Sequence, residues 1–167
     1  KVLTYDKCPD KELQQREGMH YVALDELLHE SHIISLHVPL FNETHHLIDK
    51  QAFEKMRDGA MLINTSRGGL VDTPELVAAL KSGKVGAAGL DVYEEEQGVF
   101  WTDKSLVPLT DDVLSRLLSF PNVVVTSHQA FLTEEALHNI AETTLDNIHS
   151  YTEGKRGDDL SNNVLAK

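Results

Sequence analysis

Six short runs of apolar, largely β-branched residues recur along the chain, with segments of helical period between them, and this alternation constrains the fold more than any other feature. The runs are Val2–Tyr5, Met19–Val22, His32–His37, Ala60–Asn64, Val85–Leu90 and Val123–Thr126. Their hydrophobicity is continuous rather than alternating, as expected of strands covered on both faces. The helical segments are Asp10–Glu17, Leu24–Glu30, Lys50–Arg57, a helix opened by Thr73 as N-cap with Pro74 and stopped by Gly83, Asp112–Ser119, and a long last one over Thr133–Gly154. The last carries an apolar stripe of Leu137, Ile140, Ala141, Leu145 and Ile148. Strand–helix alternation predicts an α/β fold, a doubly wound parallel sheet with right-handed crossovers, followed by a C-terminal helix. One connection, Glu94–Asp111 with Phe100, Trp101 and Pro108, is long for such a fold and reads as functional.

Charge and cysteine content exclude several function classes. The chain of 167 residues has 15 basic and 27 acidic residues, a formal net charge of −12, which leaves no footprint for nucleic acid or an anionic membrane. No apolar run approaches the ~20 residues that span a bilayer. The single cysteine, Cys8, allows neither a disulfide framework nor a multi-thiolate metal site. Lys1–Tyr5 reads as a strand and not as a leader, so the expected location is the cytoplasm.

In a parallel sheet every strand delivers its C-terminal end to one edge, and ligands bind outside that edge. The residues expected to converge are therefore Asp6, then His37, Val38 and Pro39, then Thr65–Gly69, then Asp91 with Glu94, Glu95 and Glu96, and finally Ser127 and His128. Arg67 stands three residues past its strand, before two glycines that admit a close backbone approach to a ligand. Its planar fork suits a substrate carboxylate, and a close pair gains about 4 kcal/mol at an effective dielectric of about 20 before desolvation. The competing reading is an arginine that pairs with a neighbouring acid and only orders its loop. His128 follows its strand directly, and histidine is the side chain whose proton moves easily near neutral pH. The competing reading there is a capping or core histidine. Glu94, Glu95 and Glu96 all offer it a carboxylate, and spacing does not choose among them.

Asp6 closes the first run, where a dinucleotide-binding unit keeps an acid for the adenine ribose hydroxyls about 20 residues after a G-x-G-x-x-G turn. No such turn occurs in the chain: Gly83, Gly86 and Gly89 have the wrong spacing and straddle a strand. The histidines His29, His32, His37, His45 and His46 are dense, yet no fixed partner set accompanies them, and no metal is expected. Ser66 lacks the G-x-S-x-G elbow of a hydrolase.

Four ordered stretches carry a resemblance to a known family. They are Ile33–Leu40 (IISLHVPL), Leu62–Asp72 (LINTSRGGLVD), Gly89–Glu96 (GLDVYEEE) and Thr126–His128 (TSH). The chain resembles the C-terminal half of the D-isomer-specific 2-hydroxyacid dehydrogenases over essentially its whole length. The resemblance implies a Rossmann-like fold that lacks its first strand and glycine turn, with residues 1–130 a partial NAD-binding domain and 131–167 a helix and tail returning to the substrate domain. It implies a catalytic trio: Arg67 on the keto-acid carboxylate, His128 as acid and base, and Glu96, five residues after the motif's Asp91, as the partner of His128. It further implies NAD as cofactor, with Asp91 facing the nicotinamide carboxamide, Val38, Pro39, Thr44, Thr65 and Ser66 lining the site, and Asp6 favouring NAD over NADP. Two departures narrow the branch. Gln97 stands where most members have proline, and His128-Gln129-Ala130-Phe131 replaces His-x-Gly-Gly, which looks like the D-lactate dehydrogenase branch. The activity implied is reduction of pyruvate to D-lactate with NADH, by a homodimeric parent enzyme acting on small 2-keto and 2-hydroxy acids.

Three other readings stand beside this one: a reductase of bulkier 2-keto acids, an NAD-sensing regulatory protein of the same fold, and a receiver-like module that gathers Asp residues at strand ends. In the strand order 3-2-1-4-5-6 the missing first strand is central. The expectation is therefore a sheet with a gap in its middle, and a 167-residue chain that alone folds poorly and binds NAD weakly.

Overall fold

The computed structural model describes residues 1–10, 12–15, 18–101, 103 and 105–156, and the chain divides into two units, Lys1–His128 and Gln129–Lys167. The first unit holds all six strands: β1 (Val2–Thr4), β2 (Met19–Tyr21), β3 (Ile33–Leu36), β4 (Ala60–Asn64), β5 (Val85–Leu90) and β6 (Val123–Val125). All pairings are parallel, and each apolar run of the sequence lies on a strand, with up to one residue trimmed at an end. The strands form two sheets, β1-β2 and β3-β4-β5-β6.

Between the two sheets lies the expected gap. β1 and β3 do not pair; they line a cleft whose two hollows measure about 530 and about 400 Å³. Val2 and Ile33, at its walls, are 54% and 63% exposed, although β-branched residues in a parallel sheet are ordinarily covered. The larger sheet is well covered elsewhere. Leu62 and Leu76, with Leu70, Val85 and Leu117, are almost wholly buried in a core shared with α1 (Leu24–Glu30), α2 (Lys50–Lys55), α3 (Thr73–Ser82) and α4 (Asp112–Leu118).

Local chemistry explains most helix boundaries. Asp49 caps α2 through Ala52 N–H at 2.9 Å, and Asp111 caps α4 through Leu114 N–H at 2.9 Å. For α3 the cap is Asp72 and not Thr73: the Asp72 carboxylate accepts Glu75 N–H at 3.2 Å, which makes Thr73 the first helical residue. Gly83 ends α3 in the left-handed region (φ 79°), a conformation open to glycine without steric cost. The expected helix Asp10–Glu17 is a different case. Leu13–Gln15 form a single 3-10 turn, started by Asp10 accepting Glu12 N–H at 2.7 Å, while Lys11, Arg16 and Glu17 lie outside the described residues.

The second unit carries α5 (Glu134–Thr152), capped by Thr133, whose hydroxyl accepts Ala136 N–H at 3.2 Å. Leu137, Ile140, Leu145 and Ile148 of its apolar stripe are exposed.

Candidate active site

The C-terminal ends of β3, β4, β5 and β6 share one edge because the strands run parallel, and three backbone links weld their exits together. Asp91 N–H bonds Asn64 carbonyl at 2.9 Å, Thr126 N–H bonds Leu90 carbonyl at 3.0 Å, and His128 N–H bonds Asp91 carbonyl. Arg67, Glu96 and His128 all follow these exits. Residues 29, 32 and 61 positions apart in pairs thus meet one rim through register rather than through local sequence.

His128 and Glu96 are in contact: Nδ1 lies 3.0 Å from Oε1, with the two side chains 28% and 18% exposed. The other oxygen of Glu96 accepts Tyr93 N–H at 3.3 Å, so the carboxylate is held from both ends. Glu95 is exposed and Glu94 points elsewhere, to His46 at 2.7 Å. Ser127 and His128 are both left-handed (φ 56° and 58°), a conformation that costs of the order of 1–3 kcal/mol per non-glycine residue. The strain is localised where the chain leaves β6 and turns the imidazole toward Glu96. The Trp101 ring lies against the same imidazole, 5.5 Å between centroids at 52°. The sequence flagged the loop that carries Trp101, but nothing in it pointed to this contact.

Arg67 is exposed, and its Nη1 donates to Ser66 carbonyl at 2.7 Å. Among the described residues it makes no ion pair, so its charge is not spent on ordering the loop. The loop is ordered instead by Asn64, which is 1% exposed: its amide donates to Arg67 carbonyl at 2.9 Å and accepts Ser66 N–H at 3.1 Å. A polar residue ending an apolar strand is the sequence signal for Asn64.

The glycine after Arg67 has a different purpose from the expected one. A Cβ on Gly68 would lie 2.1–2.4 Å from the backbone of Tyr93 and Glu94, so the close approach is to the chain's own β5 exit and not to a ligand. That contact seats the Arg67 loop directly against the segment bearing Glu96.

The cofactor candidates line the same edge. His37, Pro39, Leu40, Ser66 and Arg67 surround a hollow of about 500 Å³. The Ser66 hydroxyl donates to Val38 carbonyl at 2.7 Å, and the Thr44 hydroxyl donates to Pro39 carbonyl at 2.7 Å, which shapes the wall between β3 and α2. Thr65 is exposed beside them. Asp6, exposed at the end of β1, accepts Cys8 N–H at 2.7 Å and reaches the mouth of the cleft. Asp91 is 4% exposed, and Thr126 donates its hydroxyl to it.

His29, His32 and His37 do not form a shared cluster: His29 lies 3.8 Å from Glu30, and His37 bonds Ser35 at 2.8 Å. No helix among the described residues is long and apolar enough to cross a membrane.

Comparison with known proteins identifies the family. Residues 1–130 match the family described as D-isomer specific 2-hydroxyacid dehydrogenase, NAD binding domain. A 2-hydroxyacid dehydrogenase homolog of Haemophilus influenzae is 50% identical over 154 residues, covering 92% of this chain and 46% of that protein. The D-lactate dehydrogenase of Escherichia coli is 45% identical over 155 residues, covering 93% and 47%. The solved structure of the pyruvate reductase of Chlamydomonas reinhardtii superposes with a TM-score of 0.88 at 47% identity, covering 96% of this chain and 48% of that one. D-lactate dehydrogenase with NAD+ from Lactobacillus jensenii gives 0.83 at 35% identity, covering 98% and 48%. The chain spans about half the length of the relatives it matches. With a family match over most of its residues and relatives this similar, the chain belongs to the D-isomer-specific 2-hydroxyacid dehydrogenases, as a Rossmann-like NAD-binding portion of such an oxidoreductase.

Proposed function

We propose that this chain is the NAD-binding and catalytic half of a D-lactate dehydrogenase, which reduces pyruvate to D-lactate in the cytoplasm as part of a homodimer. The observation that carries the reading is the pairing of His128 with Glu96 at 3.0 Å on the strand edge that also presents Arg67 without an ion-pair partner among the described residues. Arg67 holds the substrate carboxylate through its fork, which orients the adjacent carbonyl. His128 stands over that carbonyl oxygen and donates a proton to it from Nε2, while Glu96 on Nδ1 fixes the ring's orientation. Reduced NAD, when bound, supplies the two electrons and the hydrogen that reach the carbonyl carbon. Asp6, Val38, Pro39, Thr44, Thr65, Ser66 and Asp91 are the residues that would hold it, with Asp6 on the adenine ribose. The cleft between β1 and β3 is where the first βα unit of a complete sheet would insert.

The test is kinetic and uses the full-length enzyme, with pyruvate, phenylpyruvate and hydroxypyruvate compared side by side. The reading expects the highest kcat/KM on pyruvate. Faster turnover of phenylpyruvate would move the enzyme to the bulkier-substrate reductases, and no turnover of any keto acid despite NADH binding would make it a sensor.

A further inference from the structure

Outside the catalytic trio, the molecule has one cluster of metal-ligating side chains among the described residues that no step above uses. The geometry points to a binding site for a divalent first-row metal ion of the zinc type, held by His45, His46 and Glu94. One ligand atom of each residue lies within 4.8 Å of the others. Both imidazole Nε2 atoms address the same carboxylate oxygen, at 3.8 Å from His45 and 2.7 Å from His46. A tetrahedral ion with ligands at about 2.0–2.1 Å spaces them about 3.3–3.4 Å apart. One of these distances must therefore open and the other close, each by about half an ångström, which side-chain rotation supplies.

Three further features shape the cluster toward an ion. The two rings are stacked, 3.9 Å between centroids at 26°, which presents their nitrogens side by side. His46 is left-handed (φ 52°), an outlier of the kind found at ligand clamps, and this turn is what brings consecutive histidines onto one carboxylate. Around the cluster stand the partners that usually orient metal ligands: Asp72 Oδ2 is 3.6 Å from His46 Nδ1, and the Thr73 hydroxyl donates to the second oxygen of Glu94 at 3.3 Å. His45 is 54% exposed, so the ion has an entry path and a coordination position open to water.

The site also touches the loop that bears Arg67. His46 N–H bonds Gly69 carbonyl at 2.8 Å and Ile48 N–H bonds Leu70 carbonyl at 2.9 Å, while Glu94 sits beside the backbone that Gly68 abuts. An ion therefore ties the 44–48 turn, the start of α3 and the exit of β5 into one piece behind the substrate-binding arginine. Two imidazoles and one carboxylate favour zinc, cobalt, nickel or copper over magnesium or calcium.

The experiment titrates the full-length enzyme, free of any polyhistidine tag, with Co2+ and follows its visible d–d absorption, with Zn2+ as competitor. The expected result is a saturable tetrahedral spectrum that Zn2+ displaces and Mg2+ does not. His45→Ala and Glu94→Gln each weaken Co2+ binding by about tenfold or more. Asp72→Asn, which keeps the α3 cap, weakens it by about 10–100-fold through the lost orientation of His46. Because His45 is exposed, His45→Ala leaves the fold intact and decides the matter even if Glu94→Gln does not express. An unchanged Co2+ spectrum in His45→Ala, or no saturable signal from the unmodified enzyme, would show an ordinary imidazole–carboxylate hydrogen bond only and overturn the proposal.

Discussion

At the scale of the residue, Arg67 and His128 carry the proposed reaction, and Tyr93, hydrogen-bonded to Asp111, gives a separate pH readout. On the proposed function, Arg67→Gln loses the bidentate charge, so kcat/KM for pyruvate is expected to fall by about 10²–10³-fold while NADH affinity is retained. Steady-state kinetics with fluorescence titration of NADH checks both halves. On the same reading, His128→Ala removes the proposed proton donor and is expected to lower kcat by about 10²–10⁴-fold in both directions; a variant that keeps the wild-type rate and pH profile takes His128 out of the mechanism. Tyr93 offers a pH readout. Its burial, and then its hydroxyl's 2.8 Å donation to Asp111 in an acidic neighbourhood, hold the phenol well above the ordinary tyrosine range. A folded-state value raised above the unfolded one contributes stability that is complete below pH ~10 and lost as pH climbs beyond it. Ultraviolet titration of the 4 tyrosines should accordingly show one that ionises only with alkaline unfolding, and Tyr93→Phe abolishes that late step.

At the scale of the element, the exits of the strands matter more than their interiors. Gly68→Ala drives a methyl into the Tyr93–Glu94 backbone at 2.1–2.4 Å, with no flexible side chain able to yield. The loop must shift, at a cost of about 1–3 kcal/mol, and Arg67 shifts with it. Thermal melts and kcat/KM should decline together; a variant with native values for both would show that the contact is relaxed in solution. Asp111 serves two elements at once, as cap of α4 and as acceptor for Tyr93. Asp111→Ala therefore destabilises by about 2 kcal/mol, against about 1 kcal/mol for a cap alone. The glycine stop of α3 was legible from residue type and position alone. The shift of the α3 cap from Thr73 to Asp72 was not, because both residues are good caps and only the backbone's turn into the helix distinguishes them.

At the scale of the whole molecule, the cleft between β1 and β3 is the weak seam. Both walls are strand edges with exposed apolar residues, Val2 and Ile33, and β1-β2 holds only three paired residues on each strand. Amide exchange should be fastest in β1-β2 and slowest in β4 and β5, where the sheet is paired on both sides. The 167-residue chain alone should melt without cooperativity and bind NADH weakly; a sharp melt with micromolar NADH affinity would show that the seam is closed by other means.

What was determined by the amino-acid order alone is local or recurrent: the strand runs, the glycine stop of α3, the parallel α/β class and the four motifs that name the family. These depend on side-chain period and on neighbours within a turn, information a linear chain carries. Spacing left three glutamates open for His128 and only the family motif singled out Glu96, while which residue Gly68 abuts and how His45 and His46 come to share Glu94 were decided only in three dimensions. Each joins residues on different strand exits, so it depends on sheet register and on left-handed turns at His46, Ser127 and His128 that no periodicity announces.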